Sequence, residues 1–211
     1  MPNLIIIPGS LALVRELAPA DSAARTLRHA CASIAPADAE PIDVVCSLDS
    51  RWHTGHTGSF RAWGAPSVTV GAGNHAGELV ARYVLADSSV DHLRNVRQVR
   101  GSLGSIVRTT VVVIDGSAGL TQRAPLALRE HGQWAHNWCQ DLLSQGPAAV
   151  AACDPARLHA AGVEEPHLWE DLARLHPVST QLLAADSSLG VGRYVASWQL
   201  PALKEGADVC N

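Results

Sequence analysis

His53 and His56 stand three residues apart in the run Trp-His-Thr-Gly-His, and neutral imidazoles at such spacing can ligate zinc, nickel or iron. Asp49 lies just before them. His75 begins a second candidate pair with Glu78, whose spacing of three would put both side chains on one helical face. Asp115-Gly116-Ser117 supplies a carboxylate and a hydroxyl around a glycine. A serine nucleophile also needs a base and an oxyanion hole, and no G-x-S-x-G elbow accompanies Ser117. Each group also has a plainer reading. The histidine loop could cover a sheet end or meet another subunit, and a stable metal site needs three or four ligands. His75 could cap a helix whose solvated first turn holds Glu78. Asp115 and Ser117 could accept backbone N–H groups in a turn.

These residues fall where strands and helices alternate. Residues 4–7 form an apolar run ended by Pro8-Gly9-Ser10, the pattern of a buried strand entering a loop. Asp21 then caps a helix over residues 20–35, and residues 42–46 read as a second strand. A Gly-rich and Trp-containing insertion, residues 51–64, precedes a short strand at 67–70 and a helix at 74–85. Residues 90–108 read as a strand plus a short helix. The β-branched run at 109–114 predicts a strand buried on both faces at the centre of the sheet. Beyond Pro125 the sequence predicts a helix to about Leu143, then shorter helices opened by Pro147, Pro155 and Pro166. Trp134, Trp138 and Leu142 recur along the first of these as a packing stripe. Residues 180–184 and 192–198 close the chain as a hairpin at one side of the sheet. Ligand sites of open α/β sheets form beyond the carboxyl ends of the strands. That rule singles out four loops: 8–10, 47–49 with the histidine run, 71–78 and 115–118.

The blocks VVVIDGSAGLTQRAP (residues 111–125) and SSLGVGRYVASW (187–198) resemble the B-subunit-like proteins of class III extradiol ring-cleavage dioxygenases. Members of that superfamily carry a strand ending in Gly-Asp-x-Ser-His, an Ala-Pro soon after, and a closing Gly-Val-Gly-Tyr strand. The resemblance implies a single α/β domain over residues 1–211, with a mixed central sheet and helices on both faces. It also implies ferrous iron held by two histidines and a carboxylate, with a catechol-like ring as substrate and a metal-dependent oxidoreductase chemistry. At the matched positions the histidines are replaced, by Gly9 after the first strand, Asp49 after the second and Ala118 after the central one. The chain is therefore identified as a divergent member of the actinobacterial type. The expected function is small-molecule binding, with two alternatives: an iron or zinc enzyme using Asp49, His53, His56 and His75 as replacement ligands, or a protein-interaction scaffold. The expected pocket comprises Gly9, Asp49, His53, His56, His75, Glu78, Asp115 and Ser117, and the expected ligand is a small aromatic molecule.

Composition narrows the classes further. The 211 residues are 47% hydrophobic and 17% charged, enough for one domain with a full core. A net charge of −4 offers no general attraction to nucleic acid. No apolar run approaches the roughly 20 residues of a membrane span, so a cytoplasmic protein is expected, with homo-oligomerisation open. The five cysteines, Cys31, Cys46, Cys139, Cys153 and Cys210, form no CxxC pair, and most are expected as buried small hydrophobes.

Overall fold

The computed structural model describes residues 3–36, 40–86 and 95–201. Four parallel strands form the heart of its main sheet: β1 (Leu4–Ile7), β2 (Ile42–Val45), β5 (Val96–Arg100) and β6 (Thr110–Val113). The hairpin of β7 (Ser179–Asp186) and β8 (Arg193–Gln199) extends it, with β8 antiparallel to β1. The order β5-β2-β6-β1-β8-β7 gives a mixed six-stranded sheet with β6 in the interior, as its β-branched run predicts. A two-stranded ribbon, β3 (Ser59–Phe60) with β4 (Ala65–Thr69), stands apart from this sheet.

Side chains alternate across the central strands and so feed two cores. Ile5, Ile7, Val111 and Val113 pack under α1 (Ser22–Ile34) and α2 (Ala76–Leu85), through residues such as Leu27, Cys31, Leu79 and Val80. Leu4, Ile6, Val112 and Ile114 face the other way. They meet α3 (Gly132–Gln145), α4 (Pro155–Ala160) and α5 (Pro166–Ala173) through Trp138, Leu142, Leu158 and Trp169. Each such Ile or Leu removed from water contributes about 1.5–3 kcal/mol, which fixes the register of strands buried on both faces. The connection from β1 leads towards β2, whereas the one from β6 leads towards β8 and β7. The first crosses the face covered by α1 and the second the face covered by α3, so two adjacent strands send their connections to opposite faces and a crevice opens between them.

Asp21 caps α1 as its sequence position predicts, its Oδ1 accepting from the Ala24 amide at 3.0 Å. Its Oδ2 accepts from Arg193, a fully buried arginine whose Nε also donates to Asp186 at 2.9 Å. That guanidinium ties the start of α1 to both strands of the closing hairpin.

Other boundaries differ from the sequence expectation, each for a tertiary reason. α3 starts at Gly132 rather than near Pro125. The amides of Leu126 and Arg129 donate instead to the carbonyls of Ala118 and Gly119, and Ala127 has φ 54°. α2 starts at Ala76 rather than at residue 74, because Asn74 is engaged with Thr54 through both its carbonyl and its side chain. Residues 101–108 contain no helix; the Leu103 amide is held by Asp171 at 2.9 Å. The rest of that expected segment, residues 90–94, lies outside the described residues, as does Cys210. Cys31, Cys46 and Cys139 are buried and Cys153 is half-buried, all four with free thiols. Within the tryptophan stripe, Trp138 and Leu142 are core residues, while Trp134 lies under the Arg157 guanidinium at 3.8 Å. No helix among the described residues is long and apolar enough to cross a membrane.

Candidate functional site

A cavity of about 250 Å³ opens beyond the carboxyl ends of β1, β2 and β6, where β1 and β6 send their connections to opposite faces of the sheet. All four loops singled out by the strand-end rule contribute to its wall. Gly9 and Ser10 follow β1, Cys46 and Ser47 follow β2, and Asp115, Gly116 and Ala118 follow β6. Trp52 and the first turn of α2, Ala76 and Gly77, close another side. Glu164 and Glu165, just before α5, and Val191, just before β8, complete it from segments the strand-end rule does not reach.

Asp115 is the chemically distinctive group in this wall. It follows a strand whose residues are all buried, so its carboxyl group is carried to the edge of the core. The Trp169 indole N–H donates to its backbone carbonyl at 3.0 Å and fixes the chain there. Its Oδ1 is enclosed by protein and has no hydrogen-bond partner among the described residues. Burial pushes its pKa up to about 7, outweighing the charge of Arg193 and the amides of Gly9 and Ser10; nearby Glu164 adds to the rise. Such a group exchanges its proton near neutral pH.

Close backbone approach shapes the cavity. A Cβ at Gly9 would stand 3.2 Å from Asp115 Oδ2, so any side chain there presses on this carboxyl group. A Cβ at Gly77 would stand 2.7 Å from the Cβ of Cys46, so only glycine lets α2 sit this close to β2. The Cys46 thiol is pushed up to about 12, mainly by burial and further by Glu78, and stays protonated at neutral pH.

Of the eight expected pocket residues, Gly9 and Asp115 line the cavity, and the other six serve elsewhere. Ser117 is buried, donating to the Ala161 carbonyl at 2.6 Å and accepting from the Gly119 amide at 3.1 Å, a structural tie rather than a nucleophile. Glu78 is buried, not solvated. It pairs with Arg82 at 2.9 Å and accepts from the Asn74 amide, reaching back over Gly73 as an N-terminal brace for α2. His75 occupies the cap position of α2 but makes no side-chain capping bond. Asp49 is exposed and caps the short turn Ser50–Trp52 through the Arg51 amide.

His53 and His75 do meet, in an isolated backbone bridge with ring centroids 5.2 Å apart. His56 is exposed nearby in sequence, yet no group of three or more His, Cys, Asp or Glu among the described residues is arranged to hold a metal ion. The four candidate ligands therefore do not form a facial site. The insertion at 51–64 instead covers a sheet end: Trp52 walls the cavity and Phe60 packs edge-on against Tyr83.

Sequence reading missed Trp52, Glu164 and Glu165 as cavity residues. The Glu-Glu-Pro run at 164–166 signals a helix start, but only the packing of α5 beside β6 brings it to the strand ends. It also missed the pair beneath the loop, where the Tyr194 hydroxyl lies 2.6 Å from Nδ1 of His136. Burial lowers the pKa of His136, partly offset by Asp186, and raises that of Tyr194, so both are neutral and share a hydrogen bond whose direction follows the imidazole tautomer. No protein-family model matches this chain, and no curated protein matches it at a significant level.

Proposed function

We propose that this chain is a small-molecule-binding protein, a divergent, non-dioxygenase relative of the extradiol dioxygenase B-subunit type. Its ligand sits in the strand-end cavity against Asp115. One observation carries the reading: the cavity wall contains the carboxyl-bearing Asp115, which burial leaves titrating at about 7. A ligand donor that meets this carboxyl group from the cavity offsets the desolvation that raises its pKa. Gly9, Asp49 and Ala118, at the positions where the resembling family carries histidines, support a role that does not use iron. The volume lies below the roughly 300–1,000 Å³ of pockets that enclose drug-sized molecules, so the ligand is a fragment of about one ring.

The test is thermal unfolding with neutral, cationic and anionic aromatic fragments. A fragment at a hundred times its Kd adds about 2.7 kcal/mol of stability, a rise of several degrees for a chain of this size. The rise should vanish in Val191→Phe, which enlarges a wall residue, and should persist in EDTA. A flat response across the whole panel overturns the reading. Stabilisation abolished by EDTA and restored by iron or zinc would favour the metal enzyme instead.

A further inference from the structure

We propose that the ligand of this cavity carries a protonated amine, whose ammonium group donates to Asp115 while its apolar body lies against Leu11, Trp52 and Val191. The proposal rests on the cavity being a binding site, as argued above, and adds the chemical class of its occupant. Among the described residues, three that bear carboxyl groups line the wall, Asp115, Glu164 and Glu165, and no lysine, arginine or histidine does. The nearby cations are already engaged. Arg193 binds Asp21 and Asp186, and Arg51 binds Asp49 and Glu164. An anionic ligand would meet carboxyl groups with no cationic side chain in the wall to answer it. A ligand offering only acceptors would give the ionised Asp115 carboxylate no donor.

An ammonium group answers both conditions, because it supplies donors and the complementary charge in a site partly shielded from water. The apolar part of the wall then limits the body to a compact hydrocarbon. The same arrangement makes occupancy depend on pH. Asp115 faces Arg193 and Tyr194 on β8, Glu164 before α5, and the amides of Gly9 and Ser10 after β1. Burial leaves it titrating at about 7. Alkyl amines stay protonated well above that value, as lysine does. The carboxylate required for pairing is therefore scarce at pH 5.5 and predominant at pH 8.

Calorimetric titration of the full chain with benzylamine, cyclohexylamine and butylamine, each beside its alcohol and carboxylic acid counterpart, tests this. At pH 8 the amines should bind at least about tenfold more tightly than the matched alcohols, and the acids should be weakest. Amine affinity should fall about thirtyfold from pH 8 to 5.5, following protonation of one group near pH 7, while alcohol affinity stays level. Asp115→Asn should bring amines down to the alcohols. Should that variant fail to fold, the wild-type pH profile decides alone. Equal or better binding of alcohols or acids, or an amine affinity indifferent to pH, overturns the amine while leaving the cavity as a ligand site. Absence of binding by all nine compounds overturns both.

Discussion

Asp115 sits where the fold keeps a carboxyl group under strain of solvation rather than of geometry, and that has a measurable consequence for stability. Its pKa is raised from 3.8 to about 7, chiefly by burial, so between those values the folded chain binds a proton that the unfolded chain has released. Stability therefore falls as pH rises across that window and is level beyond it. The full shift corresponds to a loss on the order of 4 kcal/mol. Asp115→Asn keeps the shape without the titration. Urea unfolding should show the variant gaining on the wild type from pH 5 to pH 8 and exceeding it at the upper end. A difference that stays constant with pH would show that this carboxyl group is not held in its neutral form. Ser117, two residues on, presents the contrast: it is equally polar, but both of its hydrogen bonds are made within the protein. Chemistry is available only where the fold leaves a group unsatisfied.

At the scale of elements, the sheet strands were the most readable part of the sequence, because runs such as residues 4–7 and 109–114 have one satisfactory environment, burial on both faces. Helix starts were readable when the cap is local, as at Asp21, and misread at residues 74 and 126, where hydrogen bonds to distant loops compete. The site divides in the same way. Its four loops followed from the strand-end rule, whereas which side chain in each loop faces the cavity depended on turns set by remote partners. Arg193 belongs to this class too: nothing local marks it as the tie between α1 and the β7–β8 hairpin. Arg193→Met should lower stability by about 3–5 kcal/mol near neutral pH, because Asp21 and Asp186 lose the buried cation that pairs them. Burial tends to raise the pKa of Asp21, but the Arg193 hydrogen bond and the helix-capping amides hold it below its usual value. That stabilisation is present above the ordinary carboxyl range and is lost as pH falls through the lowered value. The gap between variant and wild type, measured by denaturant unfolding, should accordingly narrow on acidification below about pH 4. A gap that widens there would assign the destabilisation to lost packing instead.

The molecule as a whole separates a rigid platform from the rim that carries its cavity. β1, β2 and β6 are fully buried and hydrogen-bonded on both sides, whereas the β3–β4 ribbon pairs only with itself and exposes most of β4. Opening the ribbon breaks few sheet hydrogen bonds, though it frees Phe60 and Ala65 from the core, so its amides should exchange by local opening below the global unfolding free energy. The central strands can exchange only with unfolding of the whole sheet. Residues 9–10, 46–47 and 115–118, on loops fastened to the platform at one end, and residues 164–165, between α4 and α5, lie between these extremes. An occupant of the cavity would contact all of them at once, and its binding energy adds to every opening that disrupts the site. Hydrogen exchange followed by mass spectrometry should therefore show a graded native pattern, slowest in β1 and β6 and fastest in β3–β4. A bound amine should slow exchange in those four separate loop segments together and leave the ribbon tip unchanged. Protection confined to the histidine loop at 53–56 would move the binding site off the strand ends and onto the insertion that covers them.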